Sequence, residues 1–178
     1  MSLFLISDTH FGHVKSCSFV DANGNKTRPW DTVEAMDEAM VERWNAVVKP
    51  QDTVYHLGDV AIPRQSLKIL GRLNGKKALI RGNHDIFRLS DYTEFFYDIR
   101  GAFVNNDRFL FSHIPCHRGS VERYRGNIHG HLHTGRITLL DGTIDPLYYS
   151  VCVEHTNFAP IAWEVVKAEM ESLQSESN

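Results

Sequence analysis

The stretch LFLISDTH, residues 3–10, sets the fold class of this 178-residue chain. Its first five residues form a short apolar run with no polar alternation. Such a run reads as a strand covered on both faces, and the polar group that follows places Asp8 and His10 just beyond the strand's end. The same sentence is repeated along the chain. TVYHL (53–57) leads into GDV (58–60), KALI (77–80) into RGNHD (81–85), RFLFS (108–112) into SHI (112–114), and NIHGH (127–131) into LHTG. Amphipathic segments separate the early runs. DTVEAMDEAMVERWNAVV (31–48) carries an apolar stripe of Val33, Met36, Met40, Val41, Trp44, Val47 and Val48, with Asp31 expected as N-cap, Glu34 three residues on and Pro50 beyond the end. Strands interleaved with helices make an α/β protein.

Further elements follow from the same rules. RQSLKILGRLN (64–74) predicts a short helix with Gly75 as its C-cap, RITLL (136–140) and YYSVCV (148–153) predict strands, and IAWEVVKAEMESL (161–173) predicts a closing helix. Asn-Gly within VDANGNKTRPW (20–30) predicts a small hairpin excursion, and the polar tail 174–178 is expected to fray. One domain over 1–178 is the simplest organisation, and a chain of this length buries roughly 70% of its unfolded surface without needing disulfides.

Composition narrows the function classes. With 19 Lys+Arg against 22 Asp+Glu the formal charge is −3, which argues against a protein that coats nucleic acid by bulk charge. Cys17, Cys116 and Cys152 are far apart and form no C-x-x-C pair, so they read as thiols in a reducing compartment. No basic segment precedes the apolar start, and no run approaches the roughly 18 residues of a membrane span. The expectation is a cytoplasmic protein with no membrane association; nothing in the sequence speaks to oligomeric state.

The strand-end clusters carry the chemistry. They supply Asp8, His10, Asp59, Asn83, His84, His113, His131 and His133, and strands could deliver all of them to one edge of a sheet, where sites in open α/β folds form. If NIHGHLHTG (127–135) is extended, alternation lets His131 and His133 offer imidazoles to one spot, with His129 on the same face. Two imidazoles seldom complete a metal site, so the other clusters must contribute.

The ordered pattern D-x-H, G-D, G-N-H-D, H and G-H-x-H, from residue 8 to residue 133, resembles the calcineurin-like metallophosphoesterase superfamily, and ISDTHFGH resembles its small bacterial and phage members. The resemblance implies a two-sheet mixed β-sandwich flanked by helices (four layers, α/β/β/α). It implies two divalent transition-metal ions, one held by Asp8, His10, Asp59 and His133, the other by Asp59, Asn83, His113 and His131, with Asp59 shared. The implied reaction is phosphoester hydrolysis, of phosphodiesters foremost, in which a hydroxide held between the ions attacks phosphorus and His84 serves as general acid.

Oxygen and nitrogen donors without thiolate suit Mn²⁺, Fe, Zn²⁺, Co²⁺ or Ni²⁺ and do not choose among them; Mn²⁺ is the metal expected to support activity in vitro. Asp85 either orients His84 or caps the turn after it. Arg81, His13, Arg28, His117 and Arg118 are the candidate contacts to a small phosphorylated or phosphodiester substrate; nucleic acid is possible as substrate but not favoured. The competing readings are a metal-binding interaction scaffold of the same fold and, within enzymes, a nuclease or phosphomonoesterase. A scaffold has no need of His84 beside a complete ligand set.

Overall fold

The structure is a computed structural model that describes residues 1–21 and 23–176. In chain order its elements are β1 (Leu3–Ile6), α1 (Val33–Val47), β2 (Thr53–His56), β3 (Lys76–Ile80), α2 (Leu89–Tyr92), β4 (Asp98–Arg100), β5 (Ala102–Val104), β6 (Phe109–Ser112), α3 (Arg118–Val121), β7 (Gly126–His129), β8 (Tyr148–Ser150), β9 (Ile161–Ala162) and α4 (Trp163–Glu176). Two mixed sheets result. The first has the order β4-β3-β2-β1-β9, with β1 to β4 parallel and β9 antiparallel to β1. The second has the order β5-β6-β7-β8, with β6, β7 and β8 parallel. A parallel bridge from Ser7 to Cys152 joins the end of β1 to the chain just past β8.

The uninterrupted apolar character of β1 has a direct packing cause. Phe4 and Ile6 face an outer core built with Met36, Met40, Val41 and Trp44 of α1, whereas Leu3 and Leu5 face the core between the sheets. That inner core is filled by Phe109 and Phe111 of β6, Ile128 of β7, Tyr149 of β8, and Trp163, Val166 and Met170 of α4. Both faces of β1 are therefore dry, and a polar residue within it would lose its water without a partner. Among the described residues no helix is long and apolar enough to cross a membrane.

Several sequence expectations need correction. The N-cap of α1 is Thr32, whose hydroxyl accepts from Ala35 N–H at 3.2 Å, while Asp31 pairs with Lys26 instead. The segment 64–74 forms a 3₁₀ helix over Arg64–Arg72, capped at Leu73, and Gly75 (φ 87°) sits in the turn that follows. RITLL is not a strand: only Thr138 makes a bridge, to Ile144, in an exposed excursion. α4 spans Trp163–Glu176, and residues 177–178 of the polar tail lie outside the described residues. In the 20–30 segment Val20 bridges Lys26 around a turn held by Asp21, which accepts from the backbone of Asn23 and Asn25. β4, β5 and β9 were not anticipated; they are only two or three residues long, too short for a periodic signal.

Candidate metal centre

All five polar clusters lie at the carboxyl ends of parallel strands, those of β1, β2 and β3 from the first sheet and β6 and β7 from the second. Parallel strands end on one side together, so two sheets packed face to face bring these turns to a common crevice. The turns are tight. Among the described residues eight non-glycine residues have positive φ, and five of them are Asp8 (61°), His10 (48°), Asp59 (58°), His131 (70°) and His133 (50°). Each such residue is disfavoured by about 1–2 kcal/mol, and strain concentrated this way marks a site that the surrounding packing enforces.

Two groups of side chains emerge. In the first, Asp8 Oδ1 lies 3.7 Å from His10 Nε2 and 3.8 Å from His133 Nε2. Asp8 Oδ1 and His10 Nε2 are buried and have no hydrogen-bond partner, although the other oxygen of Asp8 accepts from Ser7 Oγ, His131 N–H and the Cys152 thiol. Buried polar atoms left bare in this way carry a desolvation penalty that a cation between them would remove.

In the second group, Asn83 Oδ1 stands 2.9 Å from both His113 Nε2 and His131 Nδ1, and His113 Nε2 is 3.4 Å from Asp59 Oδ2. Donors about 2.1 Å from one ion at right angles are about 3 Å apart, so this spacing fits a shared ion. Asp59 joins the groups: its Oδ2 is also 3.6 Å from His10 Nε2. One oxygen faces both sides, because Oδ1 is taken by the His84 backbone N–H at 2.8 Å.

The electrostatics match a cation site. Burial opposes ionisation of Asp8, yet its contact with His10 and the charge of His113 outweigh that and hold its carboxyl well below the usual range. Burial likewise opposes ionisation of Asp59, and His113 with the His84 amide lowers it. Burial disfavours a charged His113 as well, but Asp59 and Asp8 raise its pKa on balance. The carboxylates thus stay charged in a dry place and draw positive charge to themselves.

Backbone supports surround the groups. Asp85 is buried and accepts N–H bonds from Asp59 (2.9 Å), Val60 (3.0 Å) and Gly82 (2.8 Å), which clamps the β2 and β3 turns together. It neither orients His84 nor merely caps its own turn. At Gly130 a Cβ would overlap Ser7 Oγ and Asp8 Oδ2. Gly130→Ala is therefore expected to destabilise the fold by about 1–3 kcal/mol, read as a lower urea midpoint.

The structure changes how two sequence readings are understood. β7 ends at His129, and His131 and His133 sit on a turn with positive φ, so strand alternation does not explain their placement. They part company: His131 joins Asp59 and His113, and His133 joins Asp8 and His10. His129 is buried, its Nδ1–H donating to Gly130 O at 2.8 Å, and burial pulls its pKa down to about 4.

His84 is exposed beside His10, with ring centroids 5.5 Å apart, and the His13 ring centroid is 5.7 Å from that of His10. Three of the candidate substrate contacts are engaged elsewhere. Arg28 is buried behind the site and gives its guanidinium to Asp8 O, Thr9 O and Glu154. Arg81 bonds to Asp85 O and Phe87 O and so braces its own loop. Arg118 pairs with Asp145 and Glu122. His117 is exposed and caps α3 by accepting from Gly119 N–H.

Glu154 is a site neighbour that the sequence did not reveal; its Oε1 is 3.0 Å from His133 Nδ1. The only signal was a charged residue directly after the apolar run YYSVCV, which is the rule that found the other clusters.

Paired carboxylate–histidine groups on the strand-end turns of a two-sheet α/β sandwich define a metal-binding domain of phosphoesterase type. Residues 1–145 match the calcineurin-like phosphoesterase superfamily domain, and the chain belongs to that superfamily. Over 174 residues it is 31% identical to the uncharacterised protein MJ1445 of Methanocaldococcus jannaschii, covering 92% of this chain and 88% of that one. It is 33% identical over 84 residues to the Gene 66 protein of Mycobacterium phage L5, a match to 44% of this chain and 37% of that protein. Among solved structures it is similar to AQ665 from Aquifex aeolicus, a protein of unknown function, with a TM-score of 0.69 and 26% identity over 97% of this chain and 98% of the other.

Proposed function

We propose that this chain is a dinuclear metal-dependent phosphohydrolase that cleaves phosphodiesters. The observation that carries this reading is the position of Asp59 Oδ2 between His10 Nε2 and His113 Nε2, which joins two ligand groups through one oxygen. Asp8, His10 and His133 would hold one ion with Asp59, and Asn83, His113 and His131 would hold the second with Asp59. Two divalent ions so held would neutralise phosphoryl oxygens and acidify a water to supply the nucleophile. Mn²⁺ is the ion for the first reconstitution, beside Fe, Zn²⁺, Co²⁺ and Ni²⁺, all of which the oxygen and nitrogen donors suit.

The chain's own residues perform the remaining work. Asp85 fixes the Asp59 and Gly82 turns in register, so the ligand groups keep their separation. Asn83 would contribute a neutral oxygen and so leave more of the ions' charge for the substrate. His84, anchored through its backbone to Asp59 and Ile86, presents an exposed imidazole beside His10 that would protonate a departing alkoxide.

The test is hydrolysis of bis(p-nitrophenyl) phosphate beside p-nitrophenyl phosphate by protein stripped with chelator and reloaded. Stripped protein is expected to be inactive, and Mn²⁺ is expected to restore diester turnover above monoester turnover. Two ions bound with no turnover on either ester would instead support an interaction scaffold, and a monoester preference would redirect the reading to phosphomonoesterase.

A further inference from the structure

We propose that Glu154, held in place by Arg28, is the positioning residue of the Asp8–His10–His133 group, and that it makes this half of the centre separately tunable. The inference rests on the dinuclear reading above.

Glu154 and Arg28 form an ion pair that is almost wholly inside the protein. Arg28 Nη2 is 2.8 Å and Nε 3.0 Å from Glu154 Oε1, with side-chain exposures of 1% and 3%. A pair removed from water to this extent gains little net stability over apolar packing, so its retention calls for another role. Its other contacts indicate one. Arg28 also donates to Asp8 O at 2.7 Å and to Thr9 O at 2.9 Å, the backbone of the turn that carries Asp8 and His10. Glu154 Oε1 meets His133 Nδ1 at 3.0 Å. One buried pair thus ties the β1 turn to the imidazole that comes from the far sheet.

The chemistry follows from the two ring nitrogens. A carboxylate accepting from Nδ1–H of His133 fixes the tautomer whose lone pair is on Nε2, the atom that faces Asp8 Oδ1. The ring is also held nearly parallel to His10, with centroids 5.2 Å apart and planes 19° apart. The second group is supported differently: His113 Nδ1 lies 2.8 Å from Leu57 O, and His131 turns Nδ1 itself toward Asn83. Among the described residues, Glu154 meets His133 and neither His113 nor His131, although Asp59 touches both groups. Loss of Glu154 should therefore weaken one ion and spare the other.

The experiment is a Mn²⁺ titration of wild-type chain, Glu154→Gln, Glu154→Ala, His133→Ala and His131→Ala, by calorimetry, with urea unfolding of each metal-free protein. A parallel readout is the imidazole ¹⁵N shifts of His133 in metal-free protein. Two ions are expected in the wild type. Glu154→Ala should lose about 100-fold and Glu154→Gln about 10-fold in affinity at a single site, the one abolished by His133→Ala and not the one abolished by His131→Ala. The ¹⁵N shifts should change from a fixed Nδ1–H tautomer to a mixture in Glu154→Gln.

Glu154→Gln retains an acceptor and near-identical volume, so it decides the matter if Glu154→Ala fails to fold. Equal weakening of both sites, or wild-type affinities with an unchanged tautomer in Glu154→Gln, would overturn the inference. A wild type that binds no Mn²⁺ would overturn the dinuclear reading itself, and the inference with it.

Discussion

Asp59→Asn is expected to lower phosphodiester turnover by about 10³-fold or more, equivalent to about 4 kcal/mol of barrier, and to reduce the metal content below two ions per chain. The reason lies in how the two carboxylate oxygens are used. Oδ1 accepts the backbone N–H of His84 at 2.8 Å, and Oδ2 lies between His10 Nε2 at 3.6 Å and His113 Nε2 at 3.4 Å. An amide has one oxygen and one NH₂. If the oxygen stays with the His84 N–H, the NH₂ points at both ligand groups and opposes cations. If it turns, two N–H groups confront each other where Asp59 now accepts. Neither arrangement can be relieved by water, because Asp59 is 2% exposed. Metal analysis and kcat on the purified variant check this. Two retained ions with turnover within tenfold of wild type would remove Asp59 from its joining role.

His84→Ala is expected to behave in the opposite way, keeping both ions while losing rate. The imidazole is exposed, and its residue is anchored through its backbone amide, so truncation leaves the Asp59 contact intact. A general acid is worth about 10²–10⁴-fold, and most where the leaving group is a poor one. The loss should therefore reach that range for a diester whose leaving group is a sugar alkoxide. It should stay below about tenfold for bis(p-nitrophenyl) phosphate, because a nitrophenolate departs without a proton. Parallel kcat measurements on the two substrates, with metal content determined on the same samples, give the comparison. Equal losses on both would mean that His84 acts on the phosphoryl group and not on the departing oxygen.

The contrast between these variants separates what was legible in the sequence from what was not. LFLIS, TVYHL, KALI and RFLFS were readable as strands because both faces of a central strand are dry, which forces continuous apolar runs. Asp8, Asp59, Asn83, His84 and His113 were conspicuous because each follows such a run directly. The mixed sandwich and the superfamily followed from those residues in that order.

Local sequence could not determine how distant turns meet. His131 and His133 go to different groups because of left-handed backbone at both positions, a property of the packed turn and not of an extended strand. Arg28 looked like a phosphate contact, yet it is buried against Glu154, 126 residues away in the chain. Arg81 and Arg118 remain exposed, and each also bonds within the chain, Arg81 to Asp85 O and Arg118 to Asp145. Residue type and local order set which groups reach the strand ends. Which nitrogen faces which oxygen was decided by tertiary packing, because a hydrogen bond is fixed within tenths of an ångström and strand periodicity places a side chain only to a face.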